Sequence, residues 1–177
     1  GKDPMKTKLA AKAFAAVALA CTALAGCTKP GTAATVNGRS VSEQSVDELA
    51  QRLKEDGLGK SLTAFGIDLS SRFRILGFRV TITAVSPAVD KASEKLDASQ
   101  KDQILQQCKK ALNASSELPA DVQRYCLARA LSTERPAFQK EINGILADMK
   151  VDYSKRYGVA DKQKRLELPE YLTLRRR

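Results

Sequence analysis

Thr35–Leu53 reads TVNGRSVSEQSVDELAQRL, and the order of its signals decides the fold. A short β-capable piece, Thr35-Val36, runs into Asn37-Gly38, a pair that tolerates the positive φ of a tight turn. After a polar lead-in, Arg39-Ser40, the spacing predicts an amphipathic helix. Ser42 is its expected N-cap, a hydroxyl able to accept a backbone N–H from the first turn. Val41 then stands at N′ and Val46 at N4, the spacing of a hydrophobic staple. Val46, Leu49, Ala50 and Leu53 recur at i, i+3, i+4 and i+7 on one face, and Gly57 ends the run.

Outward from this stretch the chain reads as mainly helical. Residues 60–67 read as weakly structured. Residues 69–85, LSSRFRILGFRVTITAV, satisfy two periods at once. Phe78, Val80, Ile82 and Ala84 alternate with Arg79, Thr81 and Thr83 as in a half-buried strand. Leu69, Phe73, Leu76 and Val80 also fit a helical stripe, with Asp68 as N-cap. Ser86-Pro87 reads as a fresh helix start, with Ser at N-cap and Pro at N1, running to Leu96. Ser99, with Asp102 three residues on, is the expected cap of the next helix, whose buried face is Ile104, Leu105, Cys108, Ala111 and Leu112. Asn113–Glu117 is the expected hairpin loop. Pro119 opens a helix to Leu131 that turns Val122, Cys126, Leu127 and Ala130 inward. Ser132–Arg135 breaks it, and Pro136 opens a last helix with the stripe Phe138, Ile142, Ile145 and Met149. Lys150–Ser154 is β-capable, with Val151 and Tyr153 alternating with polar residues. Lys162–Arg177 is charged and expected to fray. No internal repeat is present.

The start of the chain reads as targeting sequence. Gly1–Pro4 precede Met5 and read as a cloning remnant or a mis-assigned start. Lys6, Lys8 and Lys12 form a basic region, and Ala13–Leu24 is an apolar run shorter than the ~20 residues of a membrane span. Leu24-Ala25-Gly26-Cys27 resembles a lipobox. That resemblance implies removal of residues 1–26, acylation of Cys27 and a lipid-anchored protein on the extracytoplasmic face of the membrane. Residues 27–33 would then be the tether and 34–158 the domain, followed by a charged tail, 159–177. An ordinary secretory signal that happens to contain a cysteine is the alternative.

The chain carries 30 Lys+Arg against 20 Asp+Glu, and residues 1–26 hold four of the former and one of the latter, leaving 26 against 19, net +7. These charges are interspersed, apart from Arg175-Arg176-Arg177. Nucleic-acid binding would need a basic stripe interleaved with stacking aromatics; aromatics are 5% of residues and Trp is absent. Anionic headgroups or cell-wall polymers are the expected partners of the positive charge, unless it serves solubility alone.

With Cys21 in the signal and Cys27 acylated, Cys108 and Cys126 remain. Outside the cytoplasm an even pair is a disulfide candidate. The two stand about equidistant from the expected turn at Ser116-Glu117, as an antiparallel helical hairpin requires. An 18-residue separation would stabilise by roughly 3 kcal/mol on the loop-entropy estimate. Two buried thiols facing one core are the alternative. Metal is not expected, because there is no His and two sulfurs are too few ligands. The absence of His also argues against a His-based triad. No phosphate-cradling glycine loop occurs, and Asp47/Glu48 and Glu55/Asp56 stand where exposed helix faces need charge. The expectation is not an enzyme, with no cofactor.

A family resemblance adds to this. Ala34, Val36, Asn37, Gly38, Val41, Ser42, Ser45, Val46 and Asp47 match a pattern similar to the opening of the SurA N-terminal chaperone domain, shared with PrsA-type and trigger-factor-like secretion chaperones. Val151–Gly158, VDYSKRYG, is similar to the ending of small actinobacterial lipoproteins of this type, with Tyr153 and Lys155 departing from the pattern. The resemblance implies a single, mainly α domain, a long helix over 69–85, and a two-stranded β-ribbon pairing Ala34–Val36 with Lys150–Ser154. It also implies a chaperone-like module that holds unfolded or extended exported polypeptides. Residues 158–177 are too few for the separate isomerase domain of the related foldases, so no isomerase activity is expected. Leu58, Phe65, Phe73, Phe78 and Met149 are the candidates for the polypeptide-binding surface. The alternative is a cell-envelope adaptor or structural lipoprotein that binds one specific partner.

Overall fold

The computed structural model describes residues 31–157. The readings placed on the signal region, Cys27 and the charged tail lie outside these residues. The described chain is mainly helical, six helices with one small three-stranded antiparallel sheet.

Strands β1 (Thr32–Val36) and β2 (Arg39–Ser42) are joined at Asn37-Gly38, where φ is 48° and 80°. These are the left-handed values that a two-residue hairpin turn demands. The expected ribbon is present: β1 pairs antiparallel with β3 (Val151–Tyr153), Ala34 opposite Tyr153 and Val36 opposite Val151. The Asn37 side chain reinforces the junction by accepting the Lys150 N–H at 3.0 Å. Two details differ from expectation. Arg39–Ser42 is a third strand, so the sheet order is β2-β1-β3. The sheet also begins before the expected domain edge, because Ala33 is fully buried within β1 and is not tether.

Helix α1 (Glu43–Glu55) starts as expected, with the Ser42 hydroxyl accepting the Ser45 N–H at 3.0 Å. Val41 and Val46 are both fully buried, as a staple requires. Gly57, at φ 62°, turns the chain into α2 (Leu58–Ala64), a short helix where residues 60–67 read as weakly structured, a loop or a short turn of helix. Leu58 and Leu62 bury one face of α2. Its end is a Schellman motif: Ile67 N–H donates to Leu62 C=O, Gly66 N–H to Thr63 C=O, and Gly66 sits at φ 85°.

Within residues 69–85 the chain is helical from Arg72 onward, and the helix runs further than expected. Helix α3 spans Arg72–Ser93, 22 residues, without a restart at Ser86-Pro87. The missing N–H of Pro87 would have bonded the Thr83 carbonyl; the Ser86 hydroxyl donates to that oxygen instead, at 3.2 Å. Thr81, Thr83 and Ser93 return their hydroxyls to carbonyls four residues back, at 2.7 to 2.8 Å. A β-branched, Thr-rich segment therefore leaves no hydroxyl orphaned in a helical core. The cap is Ser71, which accepts Arg74 N–H; Asp68 instead closes a turn on Ser70 N–H.

Helix α4 (Ala98–Ala111) is capped by Asp97 in a capping box with Gln100, two residues ahead of the expected Ser99. Helix α5 (Ala120–Glu134) follows Pro119 and runs past the expected break at Ser132, to Glu134. Helix α6 (Pro136–Ala147) begins at Pro136. Phe138, Ile142 and Leu146 bury its inner face, with Ile145 half-buried and Met149 beyond its end. Helix α3 is the central element: α1, α5 and α6 pack around it, and α4 packs chiefly on α5. Among the described residues no helix is long and apolar enough to cross a membrane.

Candidate functional site

The five expected surface residues do not come together. Leu58 and Phe78 are core, 2% and 1% exposed, which removes both from any binding surface. Burial of Phe78 results from its place on the central helix, where it meets Tyr125 edge-on at 6.3 Å. Met149 is half-buried against the core. Phe65 and Phe73 are exposed, at 39% and 43%, but they serve different places. Phe73 stacks on Tyr153, 5.6 Å between centroids. Phe65 borders a groove.

That groove, about 390 Å³, lies between α4 and α5. Ile104, Cys108 and Ala111 form one wall, and Tyr125, Cys126 and Ala130 the other. Phe65 closes one side, set there by the Schellman turn that ends α2. Cys108 and Cys126 are joined as a disulfide, Cα–Cα 6.1 Å, so a covalent bond crosses between the two walls. Arg129 lies 5.7 Å over the Phe65 ring and donates to the Tyr125 hydroxyl at 3.2 Å. Gln107, Arg129, Thr133 and Glu134 supply the polar lining. The volume sits at the lower end of the ~300–1,000 Å³ typical of ligand pockets. It takes a few apolar side chains, not a folded surface.

The sequence placed Ile104, Ala111 and Ala130 on buried helix faces, but none of the three is buried, and Ala111 is exposed. They are groove walls, because α4 stands off the body. A smaller cavity of about 150 Å³ lies on its other flank, lined by Asp102, Leu105, Gln106 and Lys109 with Glu117, Leu118 and Gln123. The readable signal was the pairing of two small-residue stripes, Cys108-Ala111 and Cys126-Ala130, across one cystine.

A second polar cluster stands where the described chain ends. Glu43 accepts from Arg72 Nη2 and from the Tyr157 hydroxyl, both at 2.6 Å, while Arg72 Nε donates to that hydroxyl at 3.1 Å. Arg72 also bonds Asp47. Burial pushes the Glu43 carboxyl up, but the hydrogen bonds from Tyr157 and Arg72 outweigh it and hold it below the usual range. Burial, then the bond to Glu43, raises the Tyr157 phenol. Burial also pushes Tyr153 up to about 12, and its hydroxyl has no hydrogen-bond partner among the described residues. Inside the body, Arg79 bonds both carboxylate oxygens of Asp121 at 2.9 to 3.0 Å and reaches the Ser45 hydroxyl, tying α1, α3 and α5 together. Asp121, in the first turn of α5, also suits the positive end of that helix.

The acidic pairs in α1 are occupied structurally. Asp47 faces Arg72, Glu55 faces Arg52, and Asp56 accepts from Ser115 and Ser116. Among the described residues no cluster of His, Cys, Asp or Glu could hold a metal ion. No protein-family model, curated protein or solved structure matches the chain.

Proposed function

We propose that the chain is a lipid-anchored, extracytoplasmic domain that binds polypeptide without chemical turnover, and that the groove between α4 and α5 is where an apolar segment docks. The observation that carries this reading is the groove itself: an apolar trough between helices, with an exposed aromatic at its side and polar groups along its lining. A segment laid there places alternate side chains inside, while Gln107, Arg129 and Glu134 are available to its backbone. The location rests on the sequence: the basic start, the apolar run and Leu24-Ala25-Gly26-Cys27, with Cys27 acylated. A cystine at Cys108–Cys126 suits an oxidising compartment. The positive balance favours anionic headgroups or cell-wall polymers near the anchor.

The cystine crossing the groove also favours the adaptor reading. A cross-linked groove adapts little, and little adaptation suits one partner better than many. One experiment separates the two. A photo-reactive residue replacing Ala111 on the groove wall is expected to capture many unfolded clients if the domain is chaperone-like, and a single stoichiometric partner if it is an adaptor. Suppression of client aggregation, weakened by Phe65→Ser, is expected for the first. No suppression at equimolar client and no capture would remove both. Mass spectrometry of the chain from membranes reads the Cys27 acylation directly.

A further inference from the structure

Helix α4 is held to the body unlike any other helix of the described chain. None of its 14 residues is fully buried, and every residue from Asp97 to Gln103 is exposed. Cavities flank it on both sides. Its length lies near the ~12–15 residues below which an isolated helix is marginal in water. The loop between α4 and α5 is anchored separately: Leu112 and Leu118 are buried, Ser115 and Ser116 bond Asp56, and Arg52 Nη2 donates to the Glu117 carbonyl at 2.5 Å. Cys108 therefore lies between a weakly held stretch, 98–107, and a firmly held loop. Both cysteines line the groove; Cys108 is half-buried and Cys126 is 3% exposed, so Cys108 is the more accessible residue of the two.

We propose that the Cys108–Cys126 cystine is a redox-sensitive pin, and that its reduction frees the leading turns of α4 and dismantles the groove. The inference rests on the groove being the binding site. A thiolate of a dithiol reductant attacks Cys108 Sγ, the Sγ–Sγ bond breaks, and the electron pair leaves on Cys126, which takes up a proton. The second thiol of the reductant resolves the mixed disulfide, releasing Cys108 as a thiol and the reductant as its own disulfide. Two electrons and two protons pass from dithiol to cystine. With the bond gone, residues 98–107 have only half-buried Ile104 and Leu105 to hold them, and that wall of the groove loosens. Helix α5 stays in place through Val122, Tyr125, Leu127 and Ala128, all buried.

The test is hydrogen exchange by mass spectrometry on the full chain, with and without dithiothreitol, alkylation of Cys108 and Cys126 confirming reduction. Reduction is expected to speed exchange across residues 98–107 by about tenfold or more while α3 and α5 keep their protection. Cys108→Ser/Cys126→Ser without reductant is expected to match the reduced chain. Unchanged exchange in 98–107 overturns the proposal. So does acceleration spread evenly over all helices, which would make the cystine a clamp on the whole fold, and so does a cystine that dithiothreitol leaves intact in the folded chain. Capture at Ala111 by the oxidised chain is read separately: its absence defeats the binding site, and the exchange result still reports the pin.

Discussion

Helices α3 and α4 are consecutive in the chain and meet opposite surroundings. Helix α3 buries twelve of its 22 residues on nearly every side; α4 buries none of its 14. Yet α4 has the better local credentials, with a full capping box and good helix formers such as Gln, Lys and Leu. Helix α3 carries Thr, Val, Ile, an internal Pro and a Gly. Local preference makes α4 and tertiary burial makes α3. The body can therefore be fixed by packing, while the groove on its flank is held by one covalent bond and one anchored loop.

If that contrast is right, the largest loss comes from the centre. Phe78→Ala is expected to cost about 3–5 kcal/mol in a denaturant unfolding curve, since the cavity opens inside the packed body; a cost under about 1 kcal/mol would break the comparison. Asp121→Ala, which strands the Arg79 guanidinium among α1, α3 and α5, is expected to cost about 2–3 kcal/mol, less than for a wholly buried pair because Arg79 keeps some contact with water. Glu43→Gln is expected to cost about 1 kcal/mol at neutral pH. Its carboxyl is held below the ordinary 4.5, so the stability it adds is full above that value and fades as pH falls through the folded pKa. Unfolding curves of the two chains should accordingly converge in acid, and a constant gap down to the lowest pH would contradict the assignment. Ile104→Ala on α4 is expected to cost less than about 1 kcal/mol, with its effect confined to the groove.

The legible features were those that the chain decides locally. Asn37-Gly38, the Ser42 cap and the Val41/Val46 staple each act within a few residues, and all three stand where the spacing put them. The β1–β3 pairing and the Cys108–Cys126 hairpin were legible too, the first through alternation and a resemblance between short motifs, the second through spacing about a turn. Pro87 misled because the rule for a helix start supposes an N–H lost without replacement, and the Ser86 hydroxyl replaces it. Ser99 misled because two cap signals overlap there, and Asp97 with Gln100 closes a reciprocal box. The Leu62, Gly66 and Ile67 spacing that ends α2, and with it the position of Phe65, went unread, because residues 60–67 read as weakly structured. The groove was not read from the sequence, because its one signal, two small-residue stripes joined by a cystine, fits a buried seam equally well. Ile104 and Ala111 on α4 and Ala130 on α5 stand on stripes as good as any buried ones, and only the stand-off of α4 turns these stripes into two walls.

The bond from Asn37 to Lys150 joins positions 113 residues apart. During synthesis, the hairpin of β1 and β2 emerges early, while β3 leaves the ribosome only after all six helices. Until then one long edge of β1 is an open row of backbone donors and acceptors. A chain that folds in this order thus keeps a template for misplaced pairing exposed until late, and the final residues of the described fold are the ones that put it away.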